Sequence, residues 1–239
     1  MSADQPLTRE NIDRYLGELA KQFKKLGGKA MPAEIILVGG ASILINYGFR
    51  DSTYDIDAYI HASSNMKDAI NRVTDTMGLP NGWLNDDFKK TKSYTPRLVT
   101  YSKYYREFSH VLTVRTVTGA HLVAMKLMAY RPYKHDISDI AGIILEQQKK
   151  GEPLTYEQIT GAVCDIYDSW EKLPGEAHEL LVRLLNSDHL EKLYDTYTGE
   201  EKQAKDVLIS FDENYPNVLR EDNMNDILKH LQGKYKEQP

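Results

Sequence analysis

One cysteine, Cys164, stands among the 239 residues. A lone cysteine excludes an intramolecular disulfide framework and a cysteine-rich zinc centre. It fits a reduced, cytoplasmic setting. No apolar run approaches the roughly 20 residues needed to cross a bilayer, so no membrane span is expected. The first residues pass straight into a charged amphipathic pattern, without the apolar core of a secretory leader. Excess positive charge is also missing: 30 Lys and Arg face 35 Asp and Glu, a net charge of -5. The chain therefore has no broad electrostatic reason to bind nucleic acid. Segment 89–106, with Lys89, Lys90, Lys92, Arg97, Lys103 and Arg106, is either a local basic groove or a solvated loop. Internal repeats and low-complexity tracts are absent. With 41% hydrophobic and 27% charged residues, the chain can bury a sizeable core in one domain or two modest ones.

Hydrophobic spacing organises the rest. Residues 8–27 place Ile12, Tyr15, Leu16, Leu19, Ala20, Phe23 and Leu26 on one helical face, and Gly27-Gly28 ends it. A strand over Glu34–Val38 follows Pro32; Ala41–Tyr47 fits a short helix; Asp55–Ile60 alternates as a second strand. Helix 65–78 comes next, then a polar, aromatic stretch with few signals. His110–Val117 alternates as a further strand, with helices over 119–130 and 137–149. After Gly151-Glu152-Pro153 only helical patterns remain, near 155–170, 175–186, 188–197, 200–210 and 221–232. The expectation is an α/β half over 1–150 and an all-helical half over 151–239.

Two short motifs carry chemistry. After the apolar strand, Gly39-Gly40 turns the backbone tightly and leaves N–H groups unobstructed. The helix that follows aims its positive end at the same place. A phosphate would suit that spot, with Ser42 available as a hydroxyl donor, although a glycine pair after a strand is often only a turn. In Asp55-Ile56-Asp57, the first and third residues share a strand face while Ile56 points to the core. Two adjacent carboxylates repel each other, and a divalent cation relieves that. Magnesium is typically held by one or two carboxylates plus substrate phosphates. The alternative is a solvent-facing polar edge.

Asp55 follows Gly40 by fifteen residues, enough for one short helix and a return turn. This pattern, from Leu37 to Ile60, resembles the nucleotidyltransferase superfamily of the DNA polymerase β type. The resemblance implies a small mixed sheet flanked by helices. It also implies transfer of a nucleoside monophosphate from a nucleoside triphosphate to a hydroxyl, with Mg2+ (or Mn2+) on Asp55 and Asp57. Gly39, Gly40 and Ser42 would surround the phosphates. Arg50 would approach the triphosphate or support its loop.

A second stretch, His121 to Arg131 with Asp136 and Asp139, is similar to the helix after the sheet in bacterial members. These include uncharacterised nucleotidyltransferase-like proteins and the AbiEii-type toxins of abortive-infection systems. By that resemblance Lys126 contacts the phosphates, Arg131 lies nearby, and Asp136 or Asp139 lines the same cleft. From the residues alone, Lys126 lies among apolar neighbours and needs a phosphate, a carboxylate or an exit to solvent. Arg131 could pair with a surface carboxylate, and Asp136 could cap a helix. His61, His110 and His121 have no partner at metal-ligand spacing and read as structural. Many active members carry a third carboxylate on a later strand. His110–Val117 has none, leaving Glu107, Asp136 or Asp139 as substitutes. Two rivals follow: a nucleotide-binding or interaction module without turnover, and a toxin acting on tRNA or protein with an antitoxin-like protein partner. The acceptor stays open among a small molecule, a protein side chain and an RNA end.

Overall fold

A computed structural model describes residues 6–220 and 222–236. Five strands form one mixed sheet in the order β3-β2-β1-β5-β4. They are β1 (Ala33–Leu37), β2 (Ile56–His61), β3 (Leu84–Asn85), β4 (Ser102–Phe108) and β5 (Leu112–Val117). β1 is central, antiparallel to β2 and parallel to β5. Its near-continuous apolar sequence, Ala-Glu-Ile-Ile-Leu, suits a strand covered on both faces.

Alternation sorts the side chains into two layers. Ile35, Leu37, Ile56, Ala58, Leu112 and Val114 face α1 (Arg9–Phe23) and α3 (Asn65–Met77). Ile36, Val38 and Val117 face the other way, into a core built with α4 (Ala120–Ala129) and α5 (Asp136–Lys149). α2 (Gly39–Asn46) crosses the end of the sheet and gives Ile43 to one layer and Ala41 and Ile45 to the other. The mixed α/β sheet with flanking helices is thus the expected fold class.

The C-terminal part is helical: α6 (Tyr156–Tyr167), α7 (Gly175–Leu185), α8 (Leu190–Asn214) and α9 (Met224–Lys236). Its packing crosses residue 150, since Ile159, Val163, Ile166, Leu181 and Leu184 share one core with α4 and α5. No helix among the described residues is long and apolar enough to cross a membrane.

Four local expectations are corrected. The patterns at 188–197 and 200–210 form one helix, α8, which runs through Gly199. The quiet stretch after residue 78 contains β3, β4 and two short 3-10 turns, Asp87–Lys90 and Pro96–Val99. His110 lies outside β5; Ser109 and His110 both have positive φ (54° and 56°) in the β4–β5 turn, as a tight hairpin requires. The basic segment 89–106 is largely ion-paired: Lys89 with Asp86, Lys90 with Asp87, Arg97 with Asp168 and Arg106 with Asp13.

Candidate active site at the glycine turn

The chain leaves β1 through Val38, still extended, and enters α2 at Gly39 with φ of 53°. Glycine adopts that left-handed conformation without strain. The Val38 N–H donates to the carbonyl of Asp57 at 2.9 Å, which pins the turn beside β2. A Cβ on Gly39 would stand 3.8 Å from Asp57 Oδ2, so the carboxylate faces the turn. At Gly40 a Cβ would meet Thr53 Oγ1 at 2.8 Å and the Arg50 guanidinium at 3.0 Å. Only glycine lets the Arg50–Thr53 loop lie on the first turn of α2. Thr53 Oγ1 then donates to the Asp55 carbonyl at 3.2 Å and fixes the entry to β2.

Asp55 is exposed and sits just before β2, and Asp57 is half-buried within it. Burial first, and the Asp55 charge second, push the Asp57 carboxyl up to about 6; Lys134, Arg131 and Lys126 act in the opposite direction. A carboxylate desolvated beside a like charge favours its neutral form unless a cation joins it. The adjoining cleft has a volume of about 50 Å³; Asp57, Lys126, Arg131, Thr91 and Ser93 give its polar lining, and Phe88, Leu122 and Met125 its apolar lining. That admits an ion and a few waters rather than a whole nucleotide. Asp57 lines this cleft and Asp55 does not, though it lies near enough for its charge to act on Asp57; two carboxylates so placed are an oxygen donor set that fits a hard divalent cation. Among the described residues no cluster of three or more His, Cys, Asp or Glu could hold a metal. A larger hollow of about 490 Å³, near the start of α8, shares no residue with this cleft.

Behind Lys126 lies a chain of buried ion pairs. Lys126 is 8% exposed, and its Nζ lies 2.8 Å from Asp136 Oδ1 and 2.8 Å from Asp139 Oδ2. Asp136, fully buried, also accepts from the Arg131 side chain at 2.8 Å and the Arg131 backbone N–H at 3.1 Å. Arg50 Nη1 donates to both oxygens of Asp139 at 3.0 and 2.9 Å. Burial would raise the Asp136 pKa, but Lys126 and Arg131 together hold it far below the usual carboxylate range. The Lys126 ammonium is held above its ordinary value by the same two aspartates, against the cost of burial.

The expected site residues therefore separate. Gly39, Asp57, Lys126 and Arg131 line one cleft. Gly40 packs against Arg50, neither lining the cleft, and Asp136 and Asp139 stand behind Lys126 as its counter-ions rather than as cleft lining. Asp136 does not cap a helix; its carboxylate is spent on Lys126 and Arg131. Ser42 departs from expectation. Its hydroxyl is fully buried, donates to the Val117 carbonyl at 2.6 Å and accepts the Val117 N–H at 3.0 Å. It ties α2 to β5 and has no proton left for a phosphate.

The row of the sheet at Asp57 continues through Val38 to Val117 of β5, since Leu37 pairs with both Ala58 and Thr116. Val117 is buried and apolar, so β5 offers no third carboxylate there. Glu107 pairs across to Thr113, near the other end of β5, and contacts His110 instead. Asp136 and Asp139 are already neutralised.

A family model described as nucleotidyltransferase of unknown function (DUF6036) matches residues 14–155. The chain belongs to this nucleotidyltransferase family. The matched region holds the whole sheet, the glycine turn, both aspartates and the ion-pair chain. No curated protein and no solved structure matches the chain.

Proposed function

We propose that the chain transfers a nucleoside monophosphate from a nucleoside triphosphate to a hydroxyl acceptor, with a divalent cation on Asp55 and Asp57. The reading is carried by Asp57: it faces the Gly39 turn, lines the cleft with Lys126 and Arg131, and sits beside a like charge. Mg2+ (or Mn2+) bound there supplies charge neutralisation for the triphosphate and for the departing pyrophosphate. Gly39 and Gly40 present the first N–H groups of α2, which helix geometry leaves unpaired, to phosphate oxygens. Lys126 and Arg131 set a positive wall along the cleft. In the transfer the acceptor oxygen bonds to the α-phosphorus, the bond from that phosphorus to the pyrophosphate oxygen breaks, and the acceptor proton leaves to solvent. Catalysis on this scheme is mainly positioning and electrostatics. The acceptor is a small molecule, a protein side chain or an RNA end.

Titration calorimetry with ATP, GTP, CTP and UTP, with and without Mg2+, tests the reading. Binding of at least one nucleotide is expected, dependent on metal and lost in the Asp55→Asn, Asp57→Asn double variant. Unchanged binding and metal dependence in that variant sinks the assignment.

Val117 at the third position favours a second reading, a nucleotide-binding module without turnover. Under it, nucleotide binds and no pyrophosphate is released across a broad acceptor screen. Steady release that needs both aspartates excludes it.

A further inference from the structure

Helix α5 begins without a cap of its own. His135, the residue before it, makes no side-chain bond to the first turn. Yet the N–H groups of Ile137 and Ser138 are both satisfied. They donate at 2.7 and 3.2 Å to Oε1 of Glu201, which comes from α8, more than sixty residues along the chain. These are the second and third helical positions, the ones a local Ser or Asp cap ordinarily serves. Glu201 is 3% exposed, and its Oε2 has no hydrogen-bond partner among the described residues.

A buried carboxylate in this position is costly, and the surroundings do not offset it fully. Burial, with some help from Asp139 on α5, pushes Glu201 up to about 7 against its bonds to Ile137 and Ser138. The groups that face it are Asp139 from α5 and His135 from the preceding loop, whose Nδ1 stands 3.9 Å from Oε2. Burial first, and then Arg50, Lys126 and Lys205, lower the pKa of that histidine. In some proteins a residue held at this cost secures a particular arrangement rather than stability. What it secures is the first turn of α5, which carries both Asp136 and Asp139. Those two aspartates hold Lys126, Arg131 and Arg50.

We propose that Glu201 is a positioning residue of the site. By capping α5 from α8, it fixes Asp136 and Asp139, and through them the Lys126–Arg131 wall beside Asp57 and the Arg50 guanidinium against Gly40. The helical half thereby becomes part of the site's construction. The consequence for nucleotide rests on the reading of the preceding subsection; the geometric part does not.

The experiment uses the full chain and two readouts. The first needs no nucleotide: the rate at which an amine reagent modifies Lys126, followed by mass spectrometry. Glu201→Leu keeps the bulk and removes the acceptor. It should speed Lys126 modification about tenfold, since the counter-ions lose their fixed places, while Glu201→Gln, which keeps an acceptor oxygen, restores slow modification. The second readout is affinity for the Mg2+ complex of whichever nucleotide the wild type binds. It should fall about tenfold in Glu201→Leu and return in Glu201→Gln. If Glu201→Leu does not fold, Glu201→Asp takes its place, because its shorter arm cannot reach both N–H groups. Lys126 modification at the wild-type rate in the folded variant overturns the inference, as does faster modification with unchanged affinity. If the wild type binds no nucleotide, the functional reading falls, and Lys126 modification alone decides whether Glu201 positions the wall.

Discussion

Two pairs of aspartates lie within one small region, and the chain treats them in opposite ways. Asp136 and Asp139 share α5 with their cations supplied internally: Lys126 between them, Arg131 on one side and Arg50 on the other. Asp55 and Asp57 sit at the edge of β2, where Lys134, Arg131 and Lys126 only partly offset burial and the Asp55 charge, so the Asp57 carboxyl is pushed above the ordinary aspartate range. Asp136 is the more deeply buried of the two, yet it is the one driven far below that value. Burial alone therefore does not set the sign; the local cations do. A carboxylate neutralised from within is part of the scaffold. One left short of positive charge is poised for a cation from outside. On the proposed function, that contrast, more than the count of acidic residues, separates framework from binding site.

The strongest way to break the contrast is to strip the internal pair. Asp136→Asn leaves Lys126 and Arg131 buried with less negative charge, and breaking a buried ion pair in this manner costs about 3–5 kcal/mol. Urea denaturation at pH 7 should show a loss of that size. The sign of its pH dependence follows from the depressed pKa. Asp136 contributes its full stabilisation above its ordinary value of 3.8 and loses it as pH falls below that toward its folded value. The gap between wild type and variant should be constant near neutrality and narrow only in acid. A gap that narrows between pH 8 and 6 would contradict the assignment of the charge to Asp136.

Ser42→Ala probes the boundary between the two roles at smaller cost. The hydroxyl serves both the N–H and the carbonyl of Val117. Its removal leaves a buried N–H unpaired, at about 1–3 kcal/mol. Nucleotide affinity, where present, should stay within about twofold, the low end of an indirect effect, since the hydroxyl is engaged with Val117 and does not line the cleft. A large loss of affinity with little loss of stability would return Ser42 to the phosphate site.

How much of this was legible in the sequence depends on where each interaction closes. The strand, glycine turn, short helix and Asp-x-Asp strand are local, and their apolar spacing and glycines reveal them directly. The demand of Lys126 for a partner was legible too, because a lysine among Leu, Val and Met must be satisfied. Which partner it takes was not, since Asp136 and Asp139 meet it only once α4 and α5 pack. β4 escaped notice because Ser-Lys-Tyr-Tyr-Arg-Glu-Phe is an edge strand with an irregular register near Tyr105, so its polar residues do not alternate cleanly. Glu201 was invisible for a different reason. In sequence it is one acid among many on a polar helix, and only the fold carries it to an uncapped helix start far away. The Ser42 hydroxyl was misread because a donor beside a glycine turn looks free until β5 is laid alongside.

The smallest effect should have the opposite sign from the first. Asp57→Asn removes a half-buried charge that repels Asp55 and that nearby cations only partly offset. Burial and Asp55 push its pKa in the folded chain from 3.8 up to about 6. Below pH 3.8 both states are protonated and the charge costs nothing; between 3.8 and about 6 the penalty grows, and above that it is complete. The variant should therefore match wild type in acid and be more stable by about 1 kcal/mol at pH 7.5, a value discounted for the solvent that reaches Asp57. Urea denaturation across that range measures it, in the absence of divalent ions. Added Mg2+ should stabilise the wild type and leave the variant unmoved, because a ligand that binds the folded state alone shifts the equilibrium in its favour. Destabilisation by Asp57→Asn would mean that Asp57 is a framework residue like Asp136, and the distinction between the two pairs would collapse.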